Sequence, residues 1–204
     1  MKLTLTALAA VSLLFVCGCS ESPQPAEKKE TAPPEPVKGE TALYRMFNMA
    51  RGWAPDLQVL QLHSIDLPDV KRERGKAAAW EATFVSPQSG RKRTYTYSVV
   101  EAEGNLHKGV FAGLEETWSG AHGAATPFLI AALKTDSDEV YQTALKKAAD
   151  YEKKNPDKPI AFLLEKTDQF PNPAWRVIWG ESVGTSNFSI FVDASLGTYL
   201  RTMR

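Results

Sequence analysis

Residues 174–179, Ala-Trp-Arg-Val-Ile-Trp, align without a gap with residues 79–84, Ala-Trp-Glu-Ala-Thr-Phe, and this pair of stretches decides the fold. Large apolar residues alternate in both, which is typical of a β-strand with one buried face. The runs that follow also align, each with three inward residues: Tyr95, Tyr97 and Val99 in the first copy, and Phe188, Ile190 and Val192 in the second. The sequence therefore indicates an internal repeat.

Each copy is predicted to be a helix followed by three or four strands. The first copy has a predicted helix over 41–52, strands over 57–65, 79–85 and 93–100, and a further strand after Gly104. The second has a helix capped by Asp136, a strand over 160–165, and strands around Trp175, Phe188 and Tyr199. We therefore expect an α+β fold of two tandem units, each one helix packed on a small antiparallel sheet.

The predicted units cover residues 41–118 and 136–204, and an interdomain linker covers residues 119–135. The pattern leaves open whether the two units share one core or pair their sheets edge to edge.

The N-terminus has the features of a targeting signal. Lys2 is followed by a mostly apolar stretch over 3–16, which is the right length for a signal-peptide core. The sequence Val16-Cys17-Gly18-Cys19 resembles the bacterial lipobox. The resemblance implies a lipoprotein signal peptide over 1–18, cleavage between Gly18 and Cys19, and lipidation of Cys19. The alternative is an ordinary secretory signal with two cysteines near its end.

Residues 19–40 are predicted to be a lipidated tether rich in Pro, Glu and Lys. Five of the 13 prolines lie here, and Val37 is the one large apolar residue. Such a segment buries too little surface to offset its ordering entropy, so it should be an extended spacer. The alternative, a Pro-rich binding motif, lacks a clear P-x-x-P with a flanking arginine.

The composition excludes several classes of protein. Lys and Arg total 24, and Asp and Glu also total 24, which argues against binding to nucleic acid. Both cysteines lie in the signal region, so the mature chain is expected to have no free thiol and no disulfide. No run of 18 apolar residues follows the signal region, so no membrane span is predicted there.

The second half resembles the PepSY and PepSY-like domains of bacterial envelope proteins. The resemblance is carried by Ala144, Ala148 and Tyr151 on the helix, by Trp175-Arg-Val, and by residues 188–199, Phe-Ser-Ile-Phe-Val-Asp-Ala-Ser-Leu-Gly-Thr-Tyr. The first half is a weaker copy. The resemblance implies extracytoplasmic, usually non-catalytic modules, some of which are thought to bind or restrain peptidases, and it offers no catalytic residues to transfer.

One motif suggests catalysis. Residues 180–184, Gly-Glu-Ser-Val-Gly, match the G-x-S-x-G pattern of hydrolases, which would make Ser182 a nucleophile with His122 as a base. That chemistry needs a strand, a sharp turn and a helix, whereas a β-patterned run follows Ser182. A hairpin loop with two glycines is the favoured interpretation.

No metal or cofactor site is predicted. His63, His107 and His122 lack the spacing of metal ligands, and Asp66, Asp69 and Asp193 lack a calcium-loop pattern. Asp193 is expected to cap its own turn. The tryptophans are expected in the core rather than in a ligand cage. The short basic runs 71–74 and 91–93 are expected to be solvated loops rather than contacts to anionic head groups.

Together these features predict a non-catalytic lipoprotein of the cell envelope, lipid-anchored in the outer membrane or on the outer face of the inner membrane. It would bind a protein or peptide, such as an envelope protein or peptidase, through exposed sheet edges or the groove between the units. The alternatives are a serine hydrolase that uses Ser182 and a purely structural envelope protein.

Overall fold

The computed structural model describes residues 33–104, 106–121 and 125–204. The elements in chain order are α1 (Gly39–Ala50), β1 (Gln58–Ile65), β2 (Ala79–Ser86), β3 (Arg91–Ser98), β4 (Gly109–Thr117), a short 3-10 helix (Ile130–Ala132), α2 (Ser137–Lys154), β5 (Ile160–Glu165), β6 (Ala174–Trp179), β7 (Ser189–Asp193) and β8 (Tyr199–Met203). The predicted signal peptide, the Gly18–Cys19 cleavage site with its lipidated cysteine, most of the tether and His122 lie outside the described residues.

All eight strands form one antiparallel sheet in the order β4-β3-β2-β1-β5-β6-β7-β8. The two halves join where β1 pairs with β5, with Gln61 opposite Glu165 and His63 opposite Leu163. The predicted fold class, two tandem units each with its own small sheet, is therefore wrong. The physical reason is that β1 and β5 are each the first strand of a meander. Each of them pairs with the next strand along one edge and would otherwise leave the backbone N–H and C=O groups of its other edge without partners. Pairing of β1 with β5 gives these groups hydrogen-bond partners.

The core is also continuous across the two halves. A single apolar cluster contains buried residues of α1, of α2 and of strands from both halves. At its centre Trp80 of β2 and Trp175 of β6 meet edge to face, with ring centroids 6.3 Å apart, and Phe162 of β5 lies against both. The sheet therefore has one shared core rather than one core for each half.

The N-termini of the two helices are tied together. Asp136 caps α2, as its sequence indicates, by accepting from the Ser137 N–H, and the same Oδ1 accepts from the Glu40 N–H of α1 at 2.8 Å. Ser137 Oγ accepts from the Gly39 N–H at 2.9 Å and donates to the Gly75 carbonyl at 2.6 Å. These bonds satisfy backbone donors that a helix terminus leaves free.

The segments before both helices belong to the folded part. Val37, in the predicted tether, exchanges two backbone hydrogen bonds with Ala77, and α1 begins two residues later. Phe128, in the predicted interdomain linker, does the same with Val59 and is buried. No helix within the described ranges is long and apolar enough to cross a membrane.

Candidate binding cleft

A cleft of about 400 Å³ opens at the end of the sheet where β1 ends and β5 begins. One wall is the β1–β2 connection, residues 66–78. The other is the C-terminal part of α2 with the loop over 155–159. The walls thus come from different halves of the chain, and β1–β5 pairing brings them together. The volume lies within the usual range for ligand sites.

The floor of the cleft is apolar. It is lined by Val70, Ala78, Ile160, Phe162 and Trp179. Trp179 is fully buried, and its indole Nε1 donor has no hydrogen-bond partner in the described part of the chain. A buried donor without a partner costs the fold about 1–3 kcal/mol. The apolar side chains of the floor suit a ligand with an apolar body.

A polar network joins the two walls. Glu152 of α2 accepts from the Tyr141 hydroxyl at 2.9 Å and pairs with Arg74 of the β1–β2 connection at 3.0 Å. Burial, together with the Glu152 carboxylate, raises the pKa of Tyr141 to about 12, so the hydroxyl stays a donor at physiological pH. On the loop after α2, Lys158 Nζ donates to the Tyr151 hydroxyl at 2.8 Å.

The charges around the cleft are balanced. Five basic and five acidic residues line it: Lys71, Arg72, Arg74, Lys76 and Lys158, and Asp66, Glu73, Glu152, Asp157 and Glu181. Arg72 pairs with Asp66, and Lys76 pairs with Glu73 at 2.7 Å. Such a rim favours a ligand of low net charge over a polyanion.

Ser182 lies in the exposed hairpin loop between β6 and β7. Its N–H donates to Thr185 Oγ1 at 3.1 Å, and its own hydroxyl is 3.1 Å from the same oxygen. The element after the loop is the strand β7, so the helix that a nucleophile elbow requires is missing there. His122, the suggested base, lies outside the described residues. The geometry around Ser182 is that of a hydrogen-bonded turn.

Asp69 is exposed, and the two described histidines and Asp193 have structural partners. His63 on β1 lies 3.8 Å from Glu81, and His107 lies 3.2 Å from Glu101. Asp193 accepts from the backbone of Ser195 and Leu196, as expected for a residue that caps its own turn. Within the described ranges no group of three or more His, Cys, Asp or Glu residues could hold a metal ion.

The tryptophans and basic runs do not form a second site. Trp80, Trp175 and Trp179 are fully buried in the core, and Trp53 donates from Nε1 to Glu115 at 2.6 Å. The expectation of a solvated loop over 91–93 is wrong, because these residues begin β3, where Arg91 and Lys92 pair with Glu115 and Glu116 of β4. In the run 71–74, Arg72 pairs with Asp66, and Arg74 pairs with Glu152.

The outer strands β4 and β8 are the exposed edges that the sequence offered as alternative binding surfaces. On β4 Leu114 is 87% exposed, but charged side chains follow it at Glu115 and Glu116, and the pairing of β4 with β3 is interrupted by an irregularity. Charges and bulges of this kind are the usual protection against edge-to-edge pairing. The β4 edge is therefore a weaker candidate than the cleft.

The sequence predicts a groove between the halves as a possible binding surface, but it does not identify the residues that line it. Arg74 lies in a basic run that is expected to be solvated, and Trp179 is expected in the core. One usable signal was that Tyr141 and Glu152, eleven residues apart, fall on the same face of α2.

Comparison of the chain with protein-family models, with curated proteins and with solved structures finds no match. The likeness to PepSY domains therefore stays a prediction from the residues quoted for it.

Proposed function

We propose that this chain is a non-catalytic lipoprotein of the cell envelope that binds a polypeptide segment of an envelope protein or peptidase in the cleft between its two halves. The observation that carries the proposal is the cleft itself. It has about 400 Å³ of space, an apolar floor and a charge-balanced rim. The proposed anchor is the lipid on Cys19.

The tether supports this arrangement. Pro33, Pro34 and Glu35 are exposed, and Pro36 lines the cleft. The spacer therefore enters the fold beside the proposed binding site. No observation favours a hydrolase at Ser182.

Replacement of Cys19 by alanine is expected to move the protein from the membrane fraction to the soluble extracytoplasmic fraction. The thioether to diacylglycerol cannot form without that sulfur, and two or more acyl chains are needed for stable anchoring. Fractionation with an immunoblot measures the result, and Cys17→Ala is the matched control that should remain in the membrane. Retention of Cys19→Ala in the membrane would contradict the lipid anchor.

A photoreactive benzoylphenylalanine at Lys71 or Glu181, two exposed residues on the rim of the cleft, is expected to crosslink one defined polypeptide in intact envelopes. The same group at Met49 or Leu196, which are exposed elsewhere, should not. Mass spectrometry identifies the crosslinked protein. Ser182→Ala is expected to leave the crosslinks unchanged. Crosslinks from the control positions alone would reject the cleft, and no crosslink from any position would favour a purely structural protein.

A further inference from the structure

The two halves of the chain can be aligned residue by residue through their hydrogen bonds. The Trp80 indole donates to the Val37 carbonyl, and the Trp175 indole donates to the Thr135 carbonyl, both at 3.0 Å. Val37 and Thr135 each lie two residues before a helix. The first helical residues, Gly39 and Ser137, are 98 residues apart. The segments leading into α1 and α2 are therefore equivalent with an offset of 98.

The segment leading into α2 fills a gap in the sheet. Where the start of β1 and the end of β5 diverge, Phe128 exchanges two backbone hydrogen bonds of 2.9 Å with Val59, and Thr126 donates to the Lys166 carbonyl at 2.7 Å. The Phe128 side chain is 5% exposed and belongs to the shared core. One extended segment with one large apolar side chain thus closes one end of the β1–β5 pairing, which we call the seam.

The cleft is the equivalent gap at the other end of the same seam. Val59 lies opposite Phe84, and Ile160 lies opposite Trp179. Phe84 lies four residues after Trp80, and Trp179 lies four residues after Trp175, so Phe84 and Trp179 occupy equivalent positions. Their strand partners, Val59 and Ile160, are therefore equivalent as well. By the same alignment Asp66 is the counterpart of Lys166. Ile160, Trp179 and Asp66 all line the cleft.

The backbone of Ile160 is directed toward the cleft side. The neighbouring Pro159 carbonyl accepts from Gly180 N–H of the β6 side at 2.8 Å. Successive residues of a strand direct their N–H and C=O to opposite sides, so those of Ile160 face away from β6. Phe162, two residues on, directs its N–H to Ser64 Oγ on β1. No described residue exchanges backbone hydrogen bonds with Ile160 in the way that Phe128 does with Val59.

The chain's own tether is poorly suited to that position. The residue 98 positions before Phe128 is Glu30, within the sequence Lys-Lys-Glu-Thr-Ala-Pro-Pro-Glu over 28–35. This stretch has no large apolar side chain that could take the place of Phe128 against the apolar floor. A better occupant has to come from another polypeptide.

We propose that the cleft binds an extended peptide that carries a bulky apolar residue, which pairs with the Ile160 backbone as Phe128 pairs with Val59. This inference rests on the proposed function and specifies its partner. Strand addition of this kind takes affinity from main-chain hydrogen bonds and selectivity from the side-chain pocket.

The probe is a fluorescent peptide that copies residues 125–130, Ala-Thr-Pro-Phe-Leu-Ile, and its control has serine in place of phenylalanine. Binding to the full mature chain is measured by fluorescence anisotropy. The serine peptide is expected to bind about 10- to 100-fold more weakly, because the apolar side chain supplies most of the selectivity. Equal binding of the two peptides, or no binding of either, overturns the inference.

The protein side has its own matched variants. Glu30→Phe is expected to fill the cleft from within, to raise the thermal midpoint by a few degrees and to weaken peptide binding. Position 27 is equivalent to the small Ala125, so Glu27→Phe should change neither the thermal midpoint nor peptide binding. If the peptide binds only after residues 20–32 are deleted, the tether itself is the occupant and the inference fails. If photocrosslinks map to the cleft but the peptides are not distinguished, the proposed function stands and only this inference fails.

Discussion

Replacement of Trp175 by alanine is expected to lower the free energy of unfolding by about 3–5 kcal/mol. Trp175 is fully buried, and its indole N–H donates to the Thr135 carbonyl in front of α2. A Cβ added at Gly39 would lie 2.7 Å from its ring, so the first turn of α1 is also packed on it. The truncation therefore opens a cavity beneath both helices and leaves the buried Thr135 carbonyl without this donor.

Trp80→Ala should cost a similar amount, because Trp80 makes the equivalent bond to Val37 and contacts Trp175 across the seam. Urea denaturation followed by circular dichroism and by fluorescence measures both variants. One cooperative transition is expected in each, since the halves share a core. Leu114→Ala, at a position 87% exposed, is the control and should change little. A variant that keeps half of its structure through a separate second transition would contradict the shared core.

The sequence predicts the individual elements well because side-chain periodicity carries that information. β5 spans Ile160–Glu165, as the apolar run indicates, and the inward residues Trp175, Val177 and Trp179 are fully buried. The pairing of β1 with β5 depends instead on backbone groups, which are the same at every residue. Periodicity could not distinguish two sheets from one, and the prediction of two units, each with its own small sheet, was wrong for that reason.

The candidate site was less predictable than the elements. Its walls include the irregular segments over 66–78 and 155–159, which have no periodic pattern and lie about 80 residues apart in the chain. Only the β1–β5 seam brings them together. The G-x-S-x-G pattern at Ser182 suggested a catalytic site, but its two glycines belong to a hairpin loop. The more useful signal was the difference between the repeats, where Phe128 is matched by Glu30.

Replacement of Asp136 by alanine is expected to destabilise the fold by about 1–4 kcal/mol, since each helix cap contributes about 0.5–2 kcal/mol and this side chain caps two. A single oxygen, Oδ1, accepts from the N–H groups of Glu40 in α1 and Ser137 in α2, and Asp136 is 8% exposed. Its loss leaves two helix donors without a partner. Asp136→Asn keeps an oxygen at the same place and should lose much less.

The Asp136→Asn variant also separates the hydrogen bonds from the charge. Burial, with the negative charges of Asp136 and Glu139, raises the pKa of Glu40. A raised carboxyl pKa means that the folded state keeps the proton longer than the unfolded state. The contribution of Glu40 to stability is therefore full below the ordinary glutamate range and falls as the pH rises through the raised pKa.

Without the Asp136 charge, the pKa of Glu40 should be raised less, and the loss of stability with rising pH should be smaller. Between the ordinary glutamate range and neutral pH, Asp136→Asn is therefore expected to lose less stability than the parent protein. Urea denaturation at a series of pH values measures both effects. Equal destabilisation by Asp136→Ala and Asp136→Asn would mean that the negative charge at the two helix N-termini, rather than the accepted hydrogen bonds, holds the helices at the seam.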